Sequence, residues 1–132
     1  IVQKMADSPL TAICAELKEV LSHFEKGSVA ARVNLPGRYD LYSEQKVILN
    51  GRPRADMYFA SVIMQKNYVG FYFMPVYTHP EVIRPQLHPD LLKRLKGKSC
   101  FHITALNADM KMHIRQALET GYQLYCNNEW IS

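Results

Sequence analysis

Cys100 and His102 stand two residues apart in Lys98–Thr104, a stretch that reads as a strand. Side chains alternate along a strand, so both project from one face. A thiolate beside an imidazole is the pairing that a nucleophile and its base require. Same-face neighbours on one strand hold that geometry loosely, and no third, orienting group is evident. Cysteine is also among the residues most often buried. The pair is therefore expected to pack or to touch a ligand, with a small enzyme using Cys100 and His102 as a lesser alternative. As metal donors they would suit zinc or copper better than ferrous iron.

Other residues with chemical potential are dispersed. His79, His88, His102 and His113 show neither a His-x₃-His nor an HExxH spacing, so a metal site would have to assemble from separate segments. Cys14, Cys100 and Cys126 are odd in number and widely spaced, which predicts reduced thiols in a cytosol rather than a zinc site or a disulfide framework. Lys93, Arg94, Lys96 and Lys98 form the densest basic stretch, with Arg52 and Arg54 in a loop elsewhere. Together they could hold a phosphate-bearing ligand, but a solvated helix face is the simpler reading. No base-reading helix accompanies them, so no sequence-specific nucleic-acid partner is expected. Tyr58, Phe59, Phe71, Tyr72, Phe73, Tyr77 and Phe101 could form a stacking platform, though such a cluster more readily builds a sheet core. Tyr72 and Tyr77 have hydroxyls that need a partner or water, which suits a groove. Tyr72, Tyr77, Lys98, Cys100 and His102 are the expected contact surface.

The elements that must position these residues follow from the patterning. Ser8-Pro9 opens a helix, and Leu10, Ile13, Cys14, Leu17, Val20, Leu21 and Phe24 repeat at spacings of three and four. The helix is expected over 9–26, with Gly27 as its left-handed cap. Leu35-Pro36-Gly37-Arg38 reads as a turn, Tyr39–Ser43 and Lys46–Leu49 as short strands, and Asn50-Gly51 as a tight turn. The strongest β signal runs from Asp56 to Tyr77. It predicts a hairpin with Lys66-Asn67 as its loop and Gln65 facing Tyr68. Ala60, Val62, Met64, Val69, Phe71 and Phe73 then face the helices. Phe59, Ser61, Ile63, Tyr68, Gly70, Tyr72 and Met74 fall on a half-open face. Thr78–Pro89, with three prolines, predicts a crossing segment holding at most a turn of helix. A short helix opens at Pro89 and ends at Gly97. Asn107 caps a final helix that Gly121 is expected to interrupt, leaving Tyr122–Trp130 as a last turn or tail.

The chain has 132 residues, of which 48% are hydrophobic and 21% charged, with a formal net charge of +4. These values fit one globular domain over 1–132 and exclude a disordered or fibrous chain. No apolar run is long enough to span a bilayer, and residues 1–7 lack the pattern of a secretory leader. The element order implies an α+β fold: an antiparallel sheet of about five strands, covered on one face by N- and C-terminal helices.

Five segments carry a family resemblance: Tyr39-Asp-Leu-Tyr-Ser, Asn50-Gly-Arg, Met57-Tyr-Phe-Ala-Ser-Val, Tyr68-Val-Gly-Phe-Tyr-Phe-Met-Pro-Val-Tyr77 and Leu95-Lys-Gly-Lys-Ser-Cys-Phe-His102. Over roughly residues 8–125 the chain resembles the YdhG-like family of small bacterial proteins, whose function is largely unknown. The resemblance implies a frataxin-like antiparallel sheet with terminal helices. It also implies, for some members, an iron chaperone serving iron–sulfur cluster assembly. Iron binding of that type uses an acidic ridge on the first helix and adjoining strand. Here Glu16, Glu19 and Glu25 are interrupted by Lys18 and Lys26. The expected function is a cytosolic, non-enzymatic binding or chaperone-like module, monomeric or homodimeric, for a small ligand or a protein. Its cofactor is not specified, and iron delivery is the alternative.

Overall fold

A computed structural model describes residues 8–132. The expectation that residues 1–7 carry no leader lies outside the described residues. Helix α1 spans Pro9–Ser22, and the Ser8 side chain accepts from the Thr11 amide at its start. The chain then tightens into successive i→i+3 bonds from His23, Phe24 and Glu25, so the α-helix closes earlier than its apolar spacing suggests. Gly27 has a left-handed φ of 59° but lies beyond that turn and does not cap the helix.

Strands β1 (Val29–Leu35) and β2 (Arg38–Ser43) form a hairpin around Pro36-Gly37. The turn is where it was expected, but β1 is additional. Its apolar alternation is broken by a bulge between Ala31 and Val33, which hides the period of two on which strand recognition depends. Strands β3 (Val47–Leu49) and β4 (Arg52–Arg54) make a separate two-stranded hairpin closed by Asn50-Gly51. Pro53 is tolerated there because the ribbon has only edges.

The main sheet continues with β5 (Met57–Met64) and β6 (Val69–Phe73), paired Met64 to Val69 and Val62 to Phe71. The Gln65 amide donates to the Tyr68 carbonyl at 2.9 Å, which is the expected loop register. The β signal through Tyr77 overruns the strand. Pro75 has no amide for the ladder, and Met74–Thr78 turns into a short helix, α2, so Met74 leaves the sheet face. The crossing segment is a chain of single turns: α3 (Pro80–Ile83), a 3₁₀ turn (Arg84–Gln86) and α4 (Pro89–Leu92). Strands β7 (Leu95–Lys96) and β8 (Cys100–Ile103) complete a six-stranded antiparallel sheet in the order β1-β2-β5-β6-β8-β7. The fold is α+β, with α1 and the C-terminal helix α5 packed on that sheet, and it has one strand more than expected.

Helix α5 runs unbroken over Ala108–Asn127, capped by the Asn107 side chain on the Met110 amide. Gly121 does not interrupt it. A Cβ built at Gly121 would lie 2.6 Å from the Phe73 ring and 2.8 Å from Pro75. The glycine is there so that the helix can approach the end of β6. Ile13, Leu17, Val20 and Leu21 of α1 and Ile114, Leu118 and Tyr125 of α5 are buried together with Leu41, Val62, Val69, Phe71, Phe73 and Phe101 of the sheet. Phe59 joins this core, whereas simple alternation places it on the other face. A bulge explains the change. Leu41 pairs with Ala60 and Tyr42 with Tyr58, so Phe59 is an extra residue and the parity of β5 flips there.

Candidate functional site

The face of the sheet away from α1 and α5 is built from two rows of cross-strand neighbours. Arg38, Ile63, Gly70 and His102 are aligned across β2, β5, β6 and β8. Asp40, Ser61, Tyr72 and Cys100 form the next row. Beyond the β5 bulge, Tyr42 and Tyr58 pair with ring centroids 5.1 Å apart. Ile63, Tyr72, Cys100, His102, Tyr42 and Tyr58 are all partly exposed, whereas Val62, Val69, Phe71, Phe73 and Phe101, facing the helices, are fully buried.

Polar groups under these rings are paired within the face. Arg38 forks onto the buried Asp40 carboxylate, with Nε and Nη2 at 3.0–3.2 Å from its oxygens. This bidentate geometry compensates a carboxylate withdrawn from water. The Tyr58 hydroxyl donates to Ser61 Oγ at 2.6 Å, and burial pushes the Tyr58 hydroxyl well above the ordinary tyrosine range. Gly70 makes room for Tyr72. A Cβ there would stand 2.7 Å from Tyr72 Cε1 and 3.4 Å from Cys100 Sγ, so the Tyr72 ring lies over the glycine. The Tyr72 hydroxyl accepts from Gln65 Nε2 at 3.5 Å and shares the Gly70 recess with the Cys100 thiol. Burial raises the thiol, with the neighbouring Tyr72 hydroxyl opposing it. Burial also raises Tyr72, and Cys100 adds to that rise.

His102 stacks on Tyr68, with centroids 3.7 Å apart and planes 11° apart. A thiol kept protonated, beside an imidazole committed to a tyrosine, is poorly arranged for nucleophilic attack. Flat, partly exposed rings suit stacking against a ligand.

Of the five expected site residues, the structure brings Tyr72, Cys100 and His102 together on this face. Tyr77 and Lys98 pair with each other instead: Lys98 Nζ lies 5.8 Å from the Tyr77 ring centroid. Tyr77 follows Pro75 onto α2 and lines a recess of about 360 Å³ with Asn50, His79 and Trp130. The sequence reading missed Arg38, Asp40 and Tyr42 as members of the face. Alternation within Arg38–Ser43 was a usable signal for them, while the bulge concealed Tyr58. A larger cleft of about 690 Å³ lies where the β3–β4 hairpin meets the C-terminal segment, lined by Lys46, Ile48, Arg54, Glu129 and Trp130 among others.

Among the described residues, no helix is long and apolar enough to cross a membrane. Comparison with family models, with curated proteins and with solved structures finds no match to this chain.

Proposed function

We propose that the chain is a non-enzymatic cytosolic binding module whose uncovered sheet face takes a flat, hydrogen-bonding small molecule. The observation that carries this reading is the pair of cross-strand rows, which set Tyr72, Cys100 and the Tyr68–His102 stack beside the Arg38–Asp40 pair. Rings offer stacking surface, and the half-exposed guanidinium offers donors that are not all committed to Asp40. Neither a membrane nor a sequence-specific nucleic acid enters this reading.

The carboxylates of α1 and of the turn that follows it favour this reading over iron delivery. Glu16 pairs with Lys111 at 3.3 Å, Glu19 with His23 at 3.1 Å, and Glu25 accepts from the Tyr39 hydroxyl at 2.6 Å. Hard cations need converging, mutually repelling oxygens, and each of these carboxylates already has its own partner. The raised Cys100 thiol argues likewise against a small enzyme.

Native mass spectrometry of the gently purified chain tests the reading. A retained small molecule is expected, absent from Tyr68→Ala/His102→Ala and still present in Ile48→Ser, which alters only the cleft at the β3–β4 hairpin. Retention by the double variant and loss from Ile48→Ser would move the site to that cleft and refute the proposal.

A further inference from the structure

A second cluster uses none of the residues of the sheet face. His88 is the N-cap of α4, its Nδ1 accepting from the Asp90 amide at 3.1 Å. His113, on the early part of α5, stacks on it with ring centroids 3.7 Å apart and planes 11° apart. The Asp90 carboxylate completes the group, with Oδ2 3.8 Å from His88 Nδ1. One ligand atom from each of the three residues lies within 4.8 Å of the others. The independent observation is His113 Nδ1, a buried nitrogen with no hydrogen-bond partner. Such groups are rare in folded proteins, and a bound ion is one way to satisfy this one.

We propose that His88, Asp90 and His113 bind a divalent transition-metal ion of the zinc class. Two imidazoles and one carboxylate are donors that borderline ions accept in three-ligand sites. Bonds of about 2.0–2.2 Å require the ligand atoms to close to roughly 3.5 Å of one another. Rotation of the side chains supplies that movement: the rings leave their parallel stack so that their in-plane lone pairs meet the ion. A bond from the ion to His113 Nδ1 would give that nitrogen the partner it lacks. Lys93 is the competing charge, 4.0 Å from Asp90 Oδ1, but it is 77% exposed and swings away at little cost.

Three protein ligands leave one tetrahedral position for water or an anion. Asp90 and His113 line a cleft of about 460 Å³ with Lys93, Arg94, Asn107 and Asp109, so the open position faces a polar recess. The ion would clamp the crossing segment, through α4, to the C-terminal helix.

Calorimetric titration of the metal-stripped full chain with zinc chloride tests the site. One equivalent is expected to bind with a dissociation constant of about 10 μM or tighter. His88→Ala, Asp90→Asn and His113→Gln should each weaken it by at least about tenfold. Cys100→Ser, His102→Ala and His23→Ala should leave it unchanged. Asp90 is exposed, so Asp90→Asn keeps its fold, which circular dichroism verifies. Zinc should raise the melting temperature of the parent chain but not of Asp90→Asn. Binding weaker than about 10 μM, affinity retained in any of the three ligand variants, or affinity lost with Cys100→Ser would each overturn the proposal.

Discussion

Replacing Gly121 by alanine sets two effects of opposite sign against each other. In the middle of α5 alanine is favoured over glycine by about 1 kcal/mol of helix propensity. The new methyl, however, would stand 2.6 and 2.8 Å from two atoms of the Phe73 ring and 2.8 Å from Pro75. Neither neighbour has room to yield. Phe73 is fully buried, with Phe59 edge-on and Phe71 stacked beside it, and Pro75 is buried in the first turn of α2. Overpacking of this kind costs about 1–3 kcal/mol, and three contacts on two confined rings place it near the upper end. Gly121→Ala should therefore destabilise the chain by about 1–2 kcal/mol net, a fall of roughly 3–8 °C in melting temperature at this length. The double variant Phe73→Leu/Gly121→Ala should recover part of the loss, because a smaller side chain admits the methyl. Calorimetry of the four chains gives the coupling. A rise in melting temperature for Gly121→Ala, or strict additivity with Phe73→Leu, would refute the argument that this glycine sets the approach of α5 to β6.

Phe71→Ala and Phe73→Ala should each cost about 3–5 kcal/mol in urea unfolding; a shift below about 1 kcal/mol would remove them from the core. Burial holds the Tyr58, Tyr125 and Tyr39 hydroxyls and the Cys14 thiol above their ordinary ranges, the Tyr39 bond to Glu25 adding to its rise. The unfolded chain then releases these protons first, from about pH 8.5 upward, so it binds fewer protons there than the folded chain and stability falls as pH rises. Urea melts between pH 7 and 11 check the sign, and a stability that climbs over that range would contradict it. Cys100 should react with iodoacetamide more slowly than a free thiol at pH 7.5, because burial keeps it protonated. Any DNA binding through Lys93 to Lys98 should be weak and should fade steeply with salt in a filter-retention assay.

Long one-faced patterns in the sequence survive into the structure. The apolar spacing of α1, the Ser8 and Asn107 caps and the Lys66-Asn67 loop register all depend on contacts within a few residues, which a linear reading captures. Two losses have one cause. The bulges at Arg32 and Phe59 each insert an extra residue, so the period of two fails, β1 goes unread and Phe59 changes faces. Gly121 misleads in another way, since a glycine that breaks a helix and one that admits a neighbouring ring look identical until that neighbour is known. Proline limits the reach of the β signal at Tyr77. That is why Tyr77 sits apart from Tyr72, Cys100 and His102, while Lys98 sits apart because the strand starts only at Cys100 and Lys98 falls in the turn before it. The meeting of His88 with His113 depends on how α4 docks against α5, which no local spacing encodes.

On the proposed function, the open sheet face, and not the cleft beside Trp130, is where the chain meets its ligand. Amide-resolved NMR titration with a set of aromatic heterocyclic fragments is the most direct test of this reading. Fragments that bind are expected to shift the amides of Ser61, Ile63, Gly70, Tyr72, Cys100 and His102 together, and Tyr68→Ala/His102→Ala should abolish the effect. Shifts confined to Lys46, Ile48, Arg54 and Glu129, or no shift on the sheet face at millimolar fragment, would contradict it.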